Sequence, residues 1–416
     1  MIRFFHTADI HFGVENYGRI DPKTGIHSRL WDFKQSFDVC VDAAIKEDID
    51  FFLLCGDAYK TAYPTPTQQK LLIESLLKLH DAGIPVIIVV GNHDHPLSFG
   101  KAHALDVFSS IPLKTFHVFS KPDILTLQTK SGPIQIVGIP WPTRNNLVAH
   151  EAHRFKDQHE VTGYISEKIG TLISTFAATL DPSIPSILCG HLTVSNGIFS
   201  GSEKCAVYGT DPLFLPSQLA IKPFNYVALG HLHRHQNLNT GGIPIVYAGS
   251  IERVDFGERK EEKGYCAVTL NKTADDSWTA TYEFHIVPSR PMIQLDIKLT
   301  AERDQTEQII QTISAMSLDQ AIVKIMYHVP EDKQDKVDLT AILRACQHAH
   351  FVVGIFPVHK VNVRPARAHI NTHMNFETAV SHYFDTRKEL SDKKDFLLKK
   401  ALALRASLEE VTDEAV

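Results

Sequence analysis

No apolar stretch of the chain reaches the ~18 residues that a membrane-spanning helix needs, so no span is expected. The first residues, MIRFFHTADIHFG, hold no long apolar core and no small-residue cleavage site, so a secretory leader is not expected either. Cysteine is sparse and scattered, at positions 40, 55, 189, 205, 266 and 346, with no C-x-x-C pair. Cys55 and Cys189 sit inside apolar, strand-like runs, and the set reads as free thiols in a reducing cytoplasm. An excess of positive charge is also missing. The formal net charge is -6, so any nucleic-acid contact has to come from a local basic surface. No G-x-x-x-x-G-K-[ST] loop occurs, which argues against ATP binding by this chain. Internal repeats and low-complexity tracts are absent as well.

What is present is an ordinary globular composition, 44% apolar and 22% charged over 416 residues, with an unusual count of 23 histidines. Short apolar runs alternate with amphipathic stretches through the first two thirds. The runs IRFF (2–5), DFFLL (50–54), PVIIVV (85–90), IQIVGI (134–139), SILC (186–189), YVAL (226–229) and IPIVYA (243–248) are expected strands. TQQKLLIESLLKLHDAG (67–83) is an expected helix that stops on glycine. Strand–helix alternation of this kind predicts an α/β domain. VPSRP (287–291) punctuates the chain. A smaller strand–helix–strand–helix–strand alternation follows it, and from about residue 374 the sequence is charged and helical.

The polar motifs fall at the ends of the expected strands. IRFF leads to Asp9 and His11, and DFFLL to Asp57. PVIIVV leads to Gly91-Asn92-His93-Asp94, SILC to His191, and YVAL to His231 and His233. Each motif alone is ordinary turn chemistry. Five of them at equivalent strand ends are another matter, because ligands of α/β sheets collect outside the carboxyl ends of the strands. Two Asp, one Asn and four His without cysteine form a mixed oxygen–nitrogen donor set. It suits manganese, iron or zinc better than calcium or a structural zinc site. A carboxylate shared between two such ions is the arrangement of two-metal hydrolytic sites.

D-x-H, G-D, G-N-H-D, G-H and G-H-x-H in this order resemble the signature of the calcineurin-like metallophosphoesterases, over roughly residues 3–250. A closer resemblance to the DNA-nuclease branch of that superfamily lies in FHTADIHFG, GDAYKTAYPTPTQQ, GNHDHP, ALGHLHRHQ and YAGSIERVDFGERKEEKGY. The resemblance implies a two-sheet α/β/β/α sandwich over 1–288, a small α+β capping domain over 289–365 and a C-terminal helical segment over 374–416. It implies two divalent ions, manganese being the expected metal. One would be held by Asp9, His11, Asp57 and His233, the other by Asp57, Asn92, His191 and His231. His93 would protonate the departing sugar oxygen, supported by Asp94. His95 receives no role.

The same resemblance implies exonuclease and endonuclease action on DNA ends and hairpins, in repair and recombination. It implies a homodimer joined to two copies of a partner ATPase through the C-terminal segment. Many relatives carry an acidic residue or His where this chain has Lys60. The lysine would contact DNA or lower the pKa of His93, or stand solvated on its loop. Among the basic residues of GVENYGRIDPKTGIHSRLWDF (13–33), which also holds Tyr17 and Trp31, Arg29 is the best candidate for a DNA contact. ERVDFGERKEEKG (252–264) reads as a solvated charge run except for Arg253, a further candidate DNA contact. The same donor set would equally serve a phosphodiesterase for small substrates. A non-catalytic DNA-end scaffold would instead show a broken donor set.

Overall fold

The computed structural model describes residues 1–96, 102–110, 113–143, 158–201, 211–330, 333–359, 374–385, 390 and 393–413. Strands β1 (Ile2–Thr7), β2 (Phe51–Cys55), β3 (Val86–Val89) and β4 (Phe116–Phe119) lie parallel in one sheet. The chain then builds a second sheet from β5 (Asp123–Thr129), β6 (Gly132–Ile139) and β7 (Ser186–His191). A two-stranded excursion follows, β8 (Thr193–Val194) with β9 (Leu213–Phe214). β10 (Tyr226–Gly230), β11 (Gln236–Asn237) and β12 (Ile245–Tyr247) complete that second sheet. Its order is β11-β12-β10-β7-β6-β5, with β6, β7, β10 and β12 mutually parallel. An antiparallel hairpin, β13 (Gly264–Lys272) and β14 (Trp278–Ile286), returns to the first sheet and pairs with β1.

Side chains of a strand alternate between its faces, and here both faces are buried. Phe4, Phe51, Leu53, Ile87 and Val89 of the first sheet meet Ile136, Ile187, Cys189, Tyr226 and Val246 of the second in an inter-sheet core. The alternate residues Phe5, Phe52, Leu54 and Ile88 turn outward onto helices α1 (Ser28–Lys46) and α2 (Pro66–Asp81). After the short α3 (Asp106–Ser110), α4 (Gln158–Thr179) covers the outer face of the second sheet through Ile165, Ile169 and Ile173. Burial on both faces is why these strands read as continuous apolar runs rather than alternating ones. The expected four-layer sandwich is present.

α2 begins with a capping box between Thr65 and Gln68 and a proline in its first turn. Of its broad apolar girth, Leu71, Leu72, Leu76 and Leu79 are buried within the chain, while Ile73 and Leu77 are half-buried. β4, β5 and the β13–β14 hairpin are absent from the expected strands. β14 alternates polar and apolar residues, and its short apolar steps leave no run to find.

A short helix, α5 (Pro216–Leu219), precedes β10. After β14, β15 (Met292–Lys298), α6 (Gln305–Ser314), β16 (Ile322–His328), α7 (Leu339–Ala345) and β17 (Phe351–Val358) follow in the expected order, the strands forming a three-stranded sheet. The chain ends in α8 (Phe376–Asp385) and α9 (Lys394–Asp413). Contacts divide it into two compact units. The larger holds Met1–Ile297, Glu302–Tyr327 and Lys336–Phe356, and the smaller Lys298–Ala301, His328–Asp335 and Pro357–Val416. In the smaller unit α8 packs on α9, and the Arg405 guanidinium lies 5.0 Å over the Phe376 ring. Phe396 and Leu404 are left exposed. Among the described residues no helix is long and apolar enough to cross a membrane. Cys40, Cys55, Cys189, Cys266 and Cys346 are free and buried, and Cys205 lies outside the described residues.

Candidate metal centre

The carboxyl ends of β1, β2 and β3 in one sheet and of β7 and β10 in the other converge on one edge of the sandwich. Asp9, His11, Asp57, His191, His231 and His233 are all buried there, and Asn92 and His93 are half-buried beside them. The turns that present these side chains are unusual. Asp9, His11 and Asp57 have φ of 51°, 51° and 52°, and His231 has φ of 103°, a region that residues with a Cβ seldom enter. Two glycines make the approach possible. A Cβ on Gly56, at φ 86°, would run into the His191 imidazole, and one on Gly91 would run into the Asp57 carboxylate.

Three groups of donors lie within 4.8 Å of one another: Asp9, His11 and His233; His11, Asp57 and His93; and Asp9, Asp57 and His191. The distances are close and regular. His11 Nε2 is 3.0 Å from His233 Nε2, and His191 Nε2 is 2.9 Å from Asn92 Oδ1. His231 Nδ1 lies 3.2 Å from the same Asn92 oxygen. Asp57 Oδ2 stands 3.6 Å from His11 Nε2 and 3.4 Å from His191 Nε2. Donors about 2.1 Å from a common cation are spaced at about 3.0 Å for a right angle and about 3.4 Å for a tetrahedral one. The observed spacings fall in that range, so the donor set fits a divalent metal. Burial pushes the Asp9 carboxyl up to about 7, against the pull of the His191 and His233 charges. Burial also opposes ionisation of Asp57, but the surrounding histidines, His191 first, outweigh it and hold this carboxyl well below its usual range.

Outer contacts orient the rings. His191 Nδ1 donates to the Cys55 carbonyl at 2.9 Å, and His93 Nδ1 to the Lys60 carbonyl at 2.9 Å. His231 is turned the other way. Its Nδ1 faces Asn92, and its Nε2 lies 3.3 Å from Asp211 Oδ2. Trp141, half-buried at the rim, has its ring centroid 4.9 Å from that of His231. His233 Nδ1 meets Glu258 Oε1 at 2.8 Å.

Several expected roles are revised. Asp94 does not support the His93 imidazole. It is buried and accepts from the backbone N–H groups of Tyr59 at 3.0 Å, Gly91 at 3.0 Å and Ala58 at 3.3 Å, so it braces two turns. Arg29 is not on the surface. Its guanidinium is fully buried, bound to Asp32 at 2.8 Å and to the Arg253 carbonyl at 2.5 Å, and offers nothing to a DNA backbone. Arg253 is half-buried and donates to Ser289, Arg290 and Glu261, closing a loop rather than facing solvent. The charge run 252–264 is not a solvated loop throughout, since Glu252, Glu258 and Lys263 are buried. Their sequence signal, acid and base alternating beside glycine, is also that of any exposed turn. Asp211, Trp141, Glu258 and Lys263 were not among the expected site residues. Lys60 is half-buried beside His93, and its charge, after the dominant effect of burial and against the pull of Asp57, helps lower the His93 pKa. His95 has its ring 6.1 Å from that of His103.

The family model for calcineurin-like phosphoesterases matches residues 2–235. Among solved structures, a dimetal phosphatase from Danio rerio is 10% identical, covering 64% of this chain and 92% of its own, with a TM-score of 0.39. A protein from Thermus thermophilus is 11% identical, covering 67% and 98%, with a TM-score of 0.34. A conserved uncharacterized protein from Streptococcus pneumoniae, described as a predicted phosphoesterase, is 12% identical over 68% and 98%, with a TM-score of 0.26.

Proposed function

The chain belongs to the calcineurin-like phosphoesterases, metal-dependent hydrolases of phosphoesters, and from that premise we propose that it is a two-metal DNA nuclease of the SbcD type. The observation that carries the reading is the convergence of all seven donors, with Asp57 between His11 and His191. The sequence likeness to SbcD in the five stretches quoted above supplies the substrate class.

Asp9, His11, Asp57 and His233 would hold one ion, and Asp57, Asn92, His191 and His231 the other, with manganese the expected metal. When bound, such a pair supplies an acidified water and neutralises charge gathering on the phosphoryl group. The protein's own residues do the rest. The His93 backbone N–H donates to Asp57 Oδ1 at 2.9 Å, which fixes the residue against the centre. Its Nδ1 is held by the Lys60 carbonyl, so Nε2 is the atom left to hand a proton to the leaving oxygen. Lys60 is suited by position to a phosphate of the DNA strand.

The remaining parts fit a larger assembly. The segment 289–365 would shape the DNA groove as a capping domain. The α8–α9 pair, with Phe396 and Leu404 exposed, would dock on an SbcC-type ATPase. Ile73 and Leu77 of α2 would face a second copy of the chain, giving a homodimer within a heterotetramer. Digestion of plasmid, hairpin and blunt linear DNA with added Mn²⁺ is the test. Cleavage that is lost in Asp57→Ala supports the reading. Hydrolysis of small phosphodiesters without cleavage of DNA would replace it with a small-substrate enzyme, and DNA binding without any hydrolysis would replace it with a scaffold.

A further inference from the structure

A buried ion pair stands directly behind the metal centre, beyond the segment that matches the family model. Glu258 closes a 3-10 turn (Phe256–Glu258) and is fully buried, and Lys263 is 1% exposed. Their ammonium and carboxylate are 2.8 Å apart. Glu258 Oε2 is anchored three ways, by Lys263 Nζ, by the Val254 backbone N–H at 3.0 Å and by Ser250 Oγ at 3.4 Å. That leaves Oε1 to meet His233 Nδ1 at 2.8 Å. Lys263 Nζ also donates to the His233 backbone carbonyl at 3.0 Å and to Glu261 Oε2 at 3.1 Å. One ammonium thus grips the histidine's main chain directly and its ring through the carboxylate.

Burying a Lys–Glu pair stabilises a fold little, because desolvation offsets the attraction. This pair does something that an apolar pair of the same shape would not do. An ionised carboxylate only accepts hydrogen bonds, so His233 Nδ1 has to carry the proton. Nε2 then carries the lone pair, and Nε2 is the atom 3.0 Å from His11 Nε2 within the donor cluster. We propose that Glu258 and Lys263 are positioning residues that lock His233 into the Nδ1–H tautomer and aim its Nε2 at the metal centre. The proposal rests on the reading of His233 as a metal ligand. A carboxylate behind a ligating imidazole also raises its basicity, and losing such a partner typically costs about 10- to 100-fold in metal affinity.

Two measurements on the full chain test this. In the first, Mn²⁺ binding is titrated calorimetrically in wild type, His233→Ala and Glu258→Gln. Glu258→Gln should weaken one of the two Mn²⁺ sites about 10- to 100-fold, with the circular dichroism spectrum unchanged. In the second, long-range proton–nitrogen correlation of ¹⁵N-histidine-labelled, metal-free wild type at neutral pH reads the tautomer without any variant at 258. The His233 signal, identified by its loss in His233→Gln, should show the proton on Nδ1. If His233→Ala binds Mn²⁺ as wild type does, the ligand reading itself fails. If His233→Ala loses a site while Glu258→Gln keeps wild-type affinity, the positioning proposal is overturned and the ligand reading stands. Should Glu258→Gln not fold, the tautomer decides, and a proton on Nε2 overturns the proposal.

Discussion

Asp94 accepts a hydrogen bond from the Tyr59 backbone N–H at 3.0 Å and thereby ties the turn after β3 to the turn after β2. With Gly91 and Ala58, three buried N–H groups depend on this one carboxylate. Asp94→Ala leaves them without an acceptor, and each buried, unpaired donor costs about 1–3 kcal/mol. The variant is expected to unfold at clearly lower urea concentration and to lose phosphoesterase activity as the two turns separate. An unchanged urea midpoint would show that the brace is dispensable.

His93 stands among the donors, yet its Nδ1 is committed to the Lys60 carbonyl. His93→Asn is expected to keep the metals and lower turnover by about 100-fold or more, the scale of a lost general acid. Elemental analysis of the purified variant decides between roles. Loss of both metals would make His93 a ligand.

His6 lies between the sheets, with Nδ1 3.2 Å from the Tyr226 hydroxyl and Nε2 3.1 Å from the Leu229 carbonyl. Burial lowers its pKa to about 3, with the Leu229 contact only partly opposing. Above pH ~6.5 the ring is neutral in both folded and unfolded chains. Between ~6.5 and about 3 the unfolded chain takes up a proton that the folded one refuses, so stability falls with pH across that window. The loss is on the order of several kcal/mol. His6→Gln should flatten the stability–pH curve over that range in urea unfolding. An unaltered slope would place the acid sensitivity elsewhere.

Deleting 374–416 removes the α8–α9 pair. Mn²⁺-dependent cleavage of single-stranded DNA should survive nearly intact. Co-purification with an SbcC-type ATPase, and ATP-stimulated action on double-stranded ends, should disappear. Full co-purification of the truncated chain would mean that the heptad-spaced residues 397, 401 and 404 serve the protein's own packing.

The donors were legible in the sequence because two local signals coincide at each. A run of apolar residues marks a strand, and the next few residues carry Asp, Asn or His. The parallel order of β1–β3 and β7–β10 then brings the strand ends together without further information. Arg29, Glu258 and Lys263 were not legible for the opposite reason. Whether a charged side chain is buried depends on partners far away in sequence, such as Arg253 for Arg29 and His233 for Glu258. Asp94 was misread because its neighbour in sequence is His93, while its partners in space are backbone amides of another turn. The β13–β14 hairpin was missed because β14 mixes charge and aromatic residues along its length.

The left-handed turns at Asp9, His11 and Asp57 have one more implication. Left-handed backbone is unfavourable for most L-residues by about 1–2 kcal/mol each, and glycine escapes that cost. Asp57 returns part of that cost by accepting from the His93 backbone N–H, and Asp9 by accepting from the His231 backbone N–H. The His11 ring returns less, since its Nδ1 is buried with no hydrogen-bond partner among the described residues. Of the three, position 11 is therefore where glycine costs the metal-free protein least, and His11→Gly should lower its melting temperature less than Asp57→Gly does.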